Sequence, residues 1–185
     1  MRAGRFVAAY ALLAAVLQSS PADTQPAACA GARAVLKRFL ELDATTGRKW
    51  TPQLTSLVID EDNPGWDTQL VIARYAIGPC QTAAQDFRLP VTYWIAGKLT
   101  SAGENGLPLF IPSLALERVT FDVVHADRGF KIRNVGVVSP RVYPDTAIAE
   151  LKVMANERAP APRQQAVRTA TQLVRETAAR LRHPR

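Results

Sequence analysis

The sequence predicts an α+β fold, in which helices at the N-terminal end pack on an antiparallel sheet. Apolar residues recur at helical spacing before residue 59, with Val35, Leu36, Phe39 and Leu40 on one stripe. From Thr68 onward, the segments are rich in β-branched and aromatic residues, as strands are. Because helices and strands are segregated along the chain, we expect helices to cover one face of the sheet.

Each predicted element has its own boundary signal. Gly47 ends the first helix, and Thr51 and Pro52 are the N-cap and first residue of a short second helix. The remaining predicted elements are strands at 68–78 and 87–101, a Gly- and Pro-bearing loop at 102–113, strands at 118–126 and 130–138, a helix from Asp145 with Ile148, Leu151 and Val153 facing inward, and a helix at 164–181.

The first 22 residues have the layout of a secretory signal peptide. Arg2 and Arg5 precede an uninterrupted apolar run, Phe6 to Leu17, and the small residues Ser20 and Ala22 follow it. The run is shorter than the roughly 20 residues of a membrane-spanning helix. A buried N-terminal helix is the alternative. We therefore expect an exported protein, periplasmic or secreted.

Export favours a disulfide between the two cysteines, Cys29 and Cys80, because oxidising compartments stabilise such bonds. Two buried free thiols are the alternative. With only His125 and His183 as further ligands, the cysteines do not form a convincing zinc site, and no metal or cofactor is expected.

The net charge of +7 is concentrated at the C-terminal end. Residues 157–185 carry seven arginines and two glutamates, whereas residues 23–156 carry 14 basic and 14 acidic residues. The sequence thus predicts a leader (1–22), an α+β domain (23–156) and a basic, proline-linked helical tail (157–185), and no nucleic-acid-binding face. The tail's stripe of Ala and Val predicts weak packing or none, and either binding to an anionic envelope surface or a solvated extension.

The late hairpin combines an acidic residue and glycine in its turn with an aromatic, a basic residue and isoleucine: Asp127, Gly129, Phe130, Lys131 and Ile132. This pattern resembles the nuclear-transport-factor-2-like superfamily, also called the cystatin-like cone, with Phe130 in place of the common Trp. The resemblance covers about residues 31–138 and implies a strongly curved antiparallel sheet. The family hosts isomerases, dehydratases, ligand binders and dimerisation modules, so it implies no single activity.

Asp122 and Asn134 are polar residues within this otherwise apolar hairpin. A three-residue loop at 127–129 would place Asp122 opposite Asn134. If Phe130 and Ile132 point under the helices, as the resemblance implies, Asp122 and Asn134 point inward too. The two residues are then either an acid/base site in a cone-shaped pocket or a structural pair. A one-residue shift of the hairpin register would exchange the inward and outward faces of the strands.

The remaining candidates concern ligand binding. Tyr75, Tyr93, Trp94 and Phe130 are candidate pocket residues, His125 is expected to be solvated, and the acidic turn at 60–67 lacks a calcium-loop pattern. We expect a small-ligand- or partner-binding domain without a recognisable catalytic motif, with an apolar ligand and a homodimer through the sheet as candidate partners. The alternatives are a cofactor-free isomerase or hydratase using Asp122, and an envelope interaction protein acting through its basic tail.

Overall fold

A computed structural model of the chain describes residues 24–49, 51–59, 68–83, 86–100, 106–127, 129–133, 135, 138–155 and 159–182. The predicted leader and the acidic turn at 60–67 lie outside these ranges. The elements are α1 (Thr24–Thr46), α2 (Pro52–Thr55), β1 (Thr68–Ile77), β2 (Gln81–Ala83), β3 (Asp86–Thr100), β4 (Leu109–Ala126), β5 (Gly129–Arg133), β6 (Arg141–Val142), α3 (Pro144–Met154) and α4 (Ala161–Arg182). Among the described residues, no helix is long and apolar enough to cross a membrane.

Helix α1 ends and helix α2 begins where the sequence predicts, whereas α1 begins earlier, at Thr24, and α2 ends earlier, at Thr55. Helix α1 buries Leu36 and Phe39 completely, and Gly47 adopts a left-handed backbone (φ 64°) directly after the helix. In α2, the Thr51 side chain accepts a hydrogen bond from the Leu54 amide, and Pro52 is the first helical residue. Local chemistry alone is sufficient to set these boundaries.

The sheet has the strand order β5-β4-β3-β1-β6, with β2 also pairing with β3. Helices pack on this curved, half-barrel sheet, so the predicted α+β class is confirmed. The sheet is mixed, however, because the short strand β6 runs parallel to β1. All other strand pairs are antiparallel.

Strand β4 corrects the loop predicted at 102–113. The strand already begins at Leu109 and is 18 residues long. Pro112 does not interrupt the strand, because it lies where β4 pairs with β3 on one side only, a position in which a sheet tolerates proline. Strand β5, by contrast, ends at Arg133 and does not extend to residue 138.

The β4–β5 hairpin also corrects the predicted register. Ala126 pairs with Gly129, Val123 with Ile132 and Asp122 with Arg133. The connection therefore has two residues instead of the predicted three. Each residue of β5 pairs with the β4 residue next to its predicted partner. The β4 side chains that were expected on one face of the sheet therefore lie on the other face. Phe121, Val123 and Ile132 are buried on the face that carries the first helices, and Asp122 lies on the opposite face, where Val124 is also buried. Asn134 lies outside the described residues.

The core is divided into two hydrophobic clusters. The first joins α1 and α2 to β1, β3, β4 and β5, and includes Phe39, Tyr93 and Phe121. The second joins α3 and α4 to β1, β3 and β4, and includes Val71 and Phe110. Shifts in strand pairing at residues 71–74 and 95–97 separate the two clusters along the sheet. Helices from both ends of the chain thus take part in the core.

Helix α4 contradicts the expectation of a weakly packed tail. Val174 is completely buried, and Val167, Ala170, Thr177 and Ala178 are at most 5% exposed. The small Ala and Val side chains allow the helix to approach the sheet and α3 closely, so they bury well despite their size. Arg168, Arg175 and Arg180 remain exposed on the other side of the helix. Whether these arginines bind an anionic surface stays a prediction.

Helix α3 agrees with the sequence in part. Ile148 and Leu151 are buried in the second cluster, as predicted. Val153, which was expected to face inward, is 78% exposed, so this assignment was wrong. Val153 follows the buried Leu151 by two residues, about half a turn, and therefore faces away from the core.

Candidate binding surfaces

The disulfide prediction is confirmed. The sulfur atoms of Cys29 and Cys80 lie 2.14 Å apart, at bonding distance, and no described cysteine is free. Cys29 lies in the first turns of α1, and Cys80 lies between β1 and β2. The pair therefore ties the beginning of the covering helix to the sheet edge beneath it.

The four candidate pocket aromatics do not form one site. Tyr75 and Tyr93 are cross-strand neighbours with ring centroids 6.4 Å apart, and Tyr93 is only 1% exposed within the first cluster. Trp94 follows Tyr93 on the same strand, so it faces the opposite side of the sheet. There the Arg74 guanidinium stacks 4.1 Å from the centre of the Trp94 ring. Phe130 lies on β5, away from all three.

The inner face of the sheet at Tyr93 is occupied by a polar network around the buried Arg141. The Arg141 guanidinium lies 4.3 Å from the centre of the Tyr93 ring and contacts a Glu117 oxygen at 2.9 Å. Another Arg141 nitrogen donates to the Ser139 carbonyl at 2.9 Å. Burial raises the pKa of Tyr93, and the nearby Arg141 charge offsets part of this shift. This network holds β6, β3 and β4 together.

A second polar cluster joins α1 to the sheet through Glu41. The Tyr75 hydroxyl donates to Glu41 at 2.6 Å, and the Tyr143 hydroxyl donates to the same carboxylate at 3.3 Å. Burial, followed by the Glu41 charge, raises the pKa of Tyr143 to about 12. Burial and the hydrogen bond to Glu41 raise the pKa of Tyr75 as well. Both phenols therefore stay protonated near neutral pH and act as hydrogen-bond donors.

Asp122 does not point into the core, which is where the acid/base hypothesis would place it. Its carboxylate lies 3.5 Å from the Arg88 Nε atom, on the face opposite the first cluster, and the Asp122 side chain is 30% exposed. The burial on which the acid/base hypothesis depended is therefore missing. A catalytic role for Asp122 stays a prediction that this geometry does not favour.

Phe130 borders a groove of about 600 Å³ at the hairpin end of the sheet. Its ring lies 4.5 Å from the His125 ring and 5.5 Å from the Phe87 ring, measured between centroids. His125 is exposed, as expected. The other lining residues come from the segment that follows α2 and from the hairpin: Ser56, Ile59, Ala126, Asp127, Gly129 and Lys131. Of the four aromatic candidates, Phe130 alone lines this groove.

The middle of β4 forms an exposed apolar surface, which we call the β4 strip and define as residues 111–116. All six residues are exposed, with Ile111 at 47%, Leu114 at 60% and Leu116 at 66%. Leu116 pairs with Trp94, so it extends the Arg74–Trp94 surface across a third strand. Sequence reasoning missed this strip because Gly and Pro predicted a loop here, although the segment LPLFIPSLAL is almost entirely apolar.

The described residues contain no group of three or more His, Cys, Asp or Glu side chains that could hold a metal ion. No protein-family model matches the chain, and searches of curated proteins and of solved structures find no significant match. The superfamily resemblance therefore stays a prediction.

Proposed function

We propose that the chain is an exported, non-catalytic binding domain that contacts a partner protein through the β4 strip. The observation that carries this proposal is the exposure of three large aliphatic residues, Ile111, Leu114 and Leu116, on one uncharged segment. Large contiguous apolar surfaces are uncommon on monomeric proteins, and those that occur usually mark interaction sites. Export rests on the predicted leader and is supported by the paired cysteines.

The polar networks support binding over catalysis. Glu41, Tyr75, Tyr93, Tyr143 and Arg141 are engaged with one another or with the backbone, which is typical of structural contacts. The superfamily resemblance is compatible with such a role, because dimerisation modules and ligand binders occur on the same fold.

Site-specific photo-cross-linking tests the proposal. A photoreactive amino acid at position 116 should give a discrete cross-linked species when the protein is produced in its native compartment. The matched control is position 153, because Val153 is 78% exposed but lies on α3. Adducts of the same pattern at both positions, or none at position 116, would contradict the proposal.

The groove beside Phe130 supports a second candidate function, binding of a small apolar ligand. Its volume of about 600 Å³ is typical of ligand sites, and the partly exposed Ile59 and Phe130 give it apolar walls. Anilinonaphthalene sulfonate is a suitable fluorescent probe. Ile59→Glu should abolish its binding, whereas Ile111→Glu, at a similarly exposed aliphatic outside the groove, should not. Equal effects would exclude this groove as the ligand site.

A further inference from the structure

We propose that the partner of the β4 strip is a second copy of this chain, which pairs its own β4 antiparallel to the first across a two-fold axis near Ala115. This inference rests on the proposed function, because it identifies the occupant of the same surface. It follows from the free edge of β4, the direction of its peptide groups, and the positions of its few charged residues.

Among the described residues, this edge of β4 has no strand partner over most of its length. Strand β5 pairs only with Asp122–Ala126, and no other described strand pairs with this side of β4 between Leu109 and Phe121. The outer edge of β5 is protected, because Ile132 exchanges backbone hydrogen bonds with Leu57 and Ile59. The protein thus covers one sheet edge and leaves the neighbouring one available, which is where β-strand addition occurs.

The peptide groups of β4 point in the required direction. Ala126 and Gly129 flank a two-residue connection, so the Ala126 amide and carbonyl face β5. Alternation along the strand directs the peptide groups of Thr120, Arg118 and Leu116 to the same side, where β5 no longer covers them. The strand therefore presents unused donors and acceptors beside its exposed leucines.

A two-fold axis restricts how two copies of β4 can pair. In an antiparallel self-pairing, one residue lies opposite itself and its neighbours pair reciprocally. An axis at Glu117 or Arg118 would place that residue directly opposite its own copy, and such a pair of like charges is destabilising. An axis at Ala115 instead places Leu114 opposite Leu116 of the second copy, and Glu117 opposite Ser113. The charge pattern thus selects a register within the uncharged part of the strand.

The same register buries the two most exposed large apolar side chains of the β4 strip, Leu114 and Leu116. Leu114 and Leu116 lie on the face that also carries Trp94, so each copy would add its leucines to a shared apolar surface. Leu116 would lie between Trp94 of its own chain and Leu114 of the other. Pro112, which has no amide hydrogen, limits the pairing at one end and opposes indefinite strand addition.

Self-association of the purified, oxidised full-length chain is the direct test. Sedimentation velocity over a concentration series should show a species of twice the monomer mass. Leu116→Lys should weaken self-association by at least about 100-fold, because it buries an unpaired charge against Leu114 of the second copy. Val153→Lys places the same charge at an exposed aliphatic on α3 and should leave association unchanged. Leu114→Lys serves as a second variant should Leu116→Lys fail to fold.

Cysteine cross-linking tests the register. Ala115→Cys should form an interchain disulfide on mild oxidation, because residues at such an axis have Cβ atoms about 5 Å apart. Val153→Cys should not. A monomer at all concentrations, equal association of Leu116→Lys and the wild type, or no cross-link at Cys-substituted position 115 would overturn the proposal. If the chain is monomeric but position 116 still cross-links to a different protein, the homodimer is excluded and the partner-binding function survives.

Discussion

Arg48 and Asp43 form a buried ion pair with two parallel contacts, Nε to Oδ1 and Nη2 to Oδ2, each 2.8 Å long. Arg48 has a left-handed backbone (φ 52°) and follows the left-handed Gly47, so the chain turns back towards α1. The same guanidinium donates to the carbonyls of Val135 and Val138. One ion pair therefore joins the end of α1 to the segment that leads into β6.

Asp43→Ala should lower the free energy of unfolding by about 3–5 kcal/mol, because it leaves the buried Arg48 charge without its partner. Chemical denaturation measures this change. The control is Asp86→Ala, which removes the exposed contact between Asp86 and Arg133 and should cost less than about 1 kcal/mol. Similar losses for the two variants would show that burial does not strengthen the Asp43 pair.

Replacing Cys29 and Cys80 by Ser should destabilise the protein by about 4 kcal/mol, the chain-entropy value for a sequence separation of 51 residues. Thermal unfolding of the double variant and the oxidised wild type gives the difference. Thiol titration of the unfolded, unreduced protein should find no reactive thiol. Two thiols per chain would contradict the disulfide.

Val174→Ala should lower the free energy of unfolding by about 2 kcal/mol, because it removes buried methyl groups from the contact between α4 and the sheet. The matched control is Val153→Ala, the same substitution at a residue that is 78% exposed, which should change stability by less than about 0.5 kcal/mol. If α4 did not pack on the sheet in solution, both variants would be equally stable.

The protein should lose stability as the pH rises above about 10, because Tyr143 keeps its proton in the folded state until its raised pKa of about 12. The unfolded chain releases this proton earlier, so the loss begins at the unfolded pKa and is complete above the folded one. Tyr143→Phe should reduce the slope of stability against pH between 10 and 12. An unchanged slope would show that Tyr143 contributes nothing to it.

Asp122→Asn should change the free energy of unfolding by less than about 1 kcal/mol, because the contact with Arg88 is long and partly exposed. The substitution should also leave self-association unchanged. A complete loss of an activity without unfolding would instead restore the acid/base hypothesis for Asp122.

The sequence by itself determined those features that depend on neighbouring residues or on a unique pairing. The stripe of α1, the Gly47 stop and the Thr51 cap each follow from local backbone and side-chain chemistry. The bond between Cys29 and Cys80 could be predicted because the chain has only two cysteines. The α+β class followed from the segregation of helical and strand patterns along the chain.

Only the tertiary structure decided which surfaces are buried. A two-residue turn instead of a three-residue turn moved Asp122 from the core to the outer face, because side chains alternate along a strand. Helix α4 packs on the sheet because α3 and Phe110 provide a matching surface, which its own weak stripe does not reveal. The pairing of β5 with β4 stops at Asp122 because β5 ends at Arg133, and that length depends on how distant segments meet.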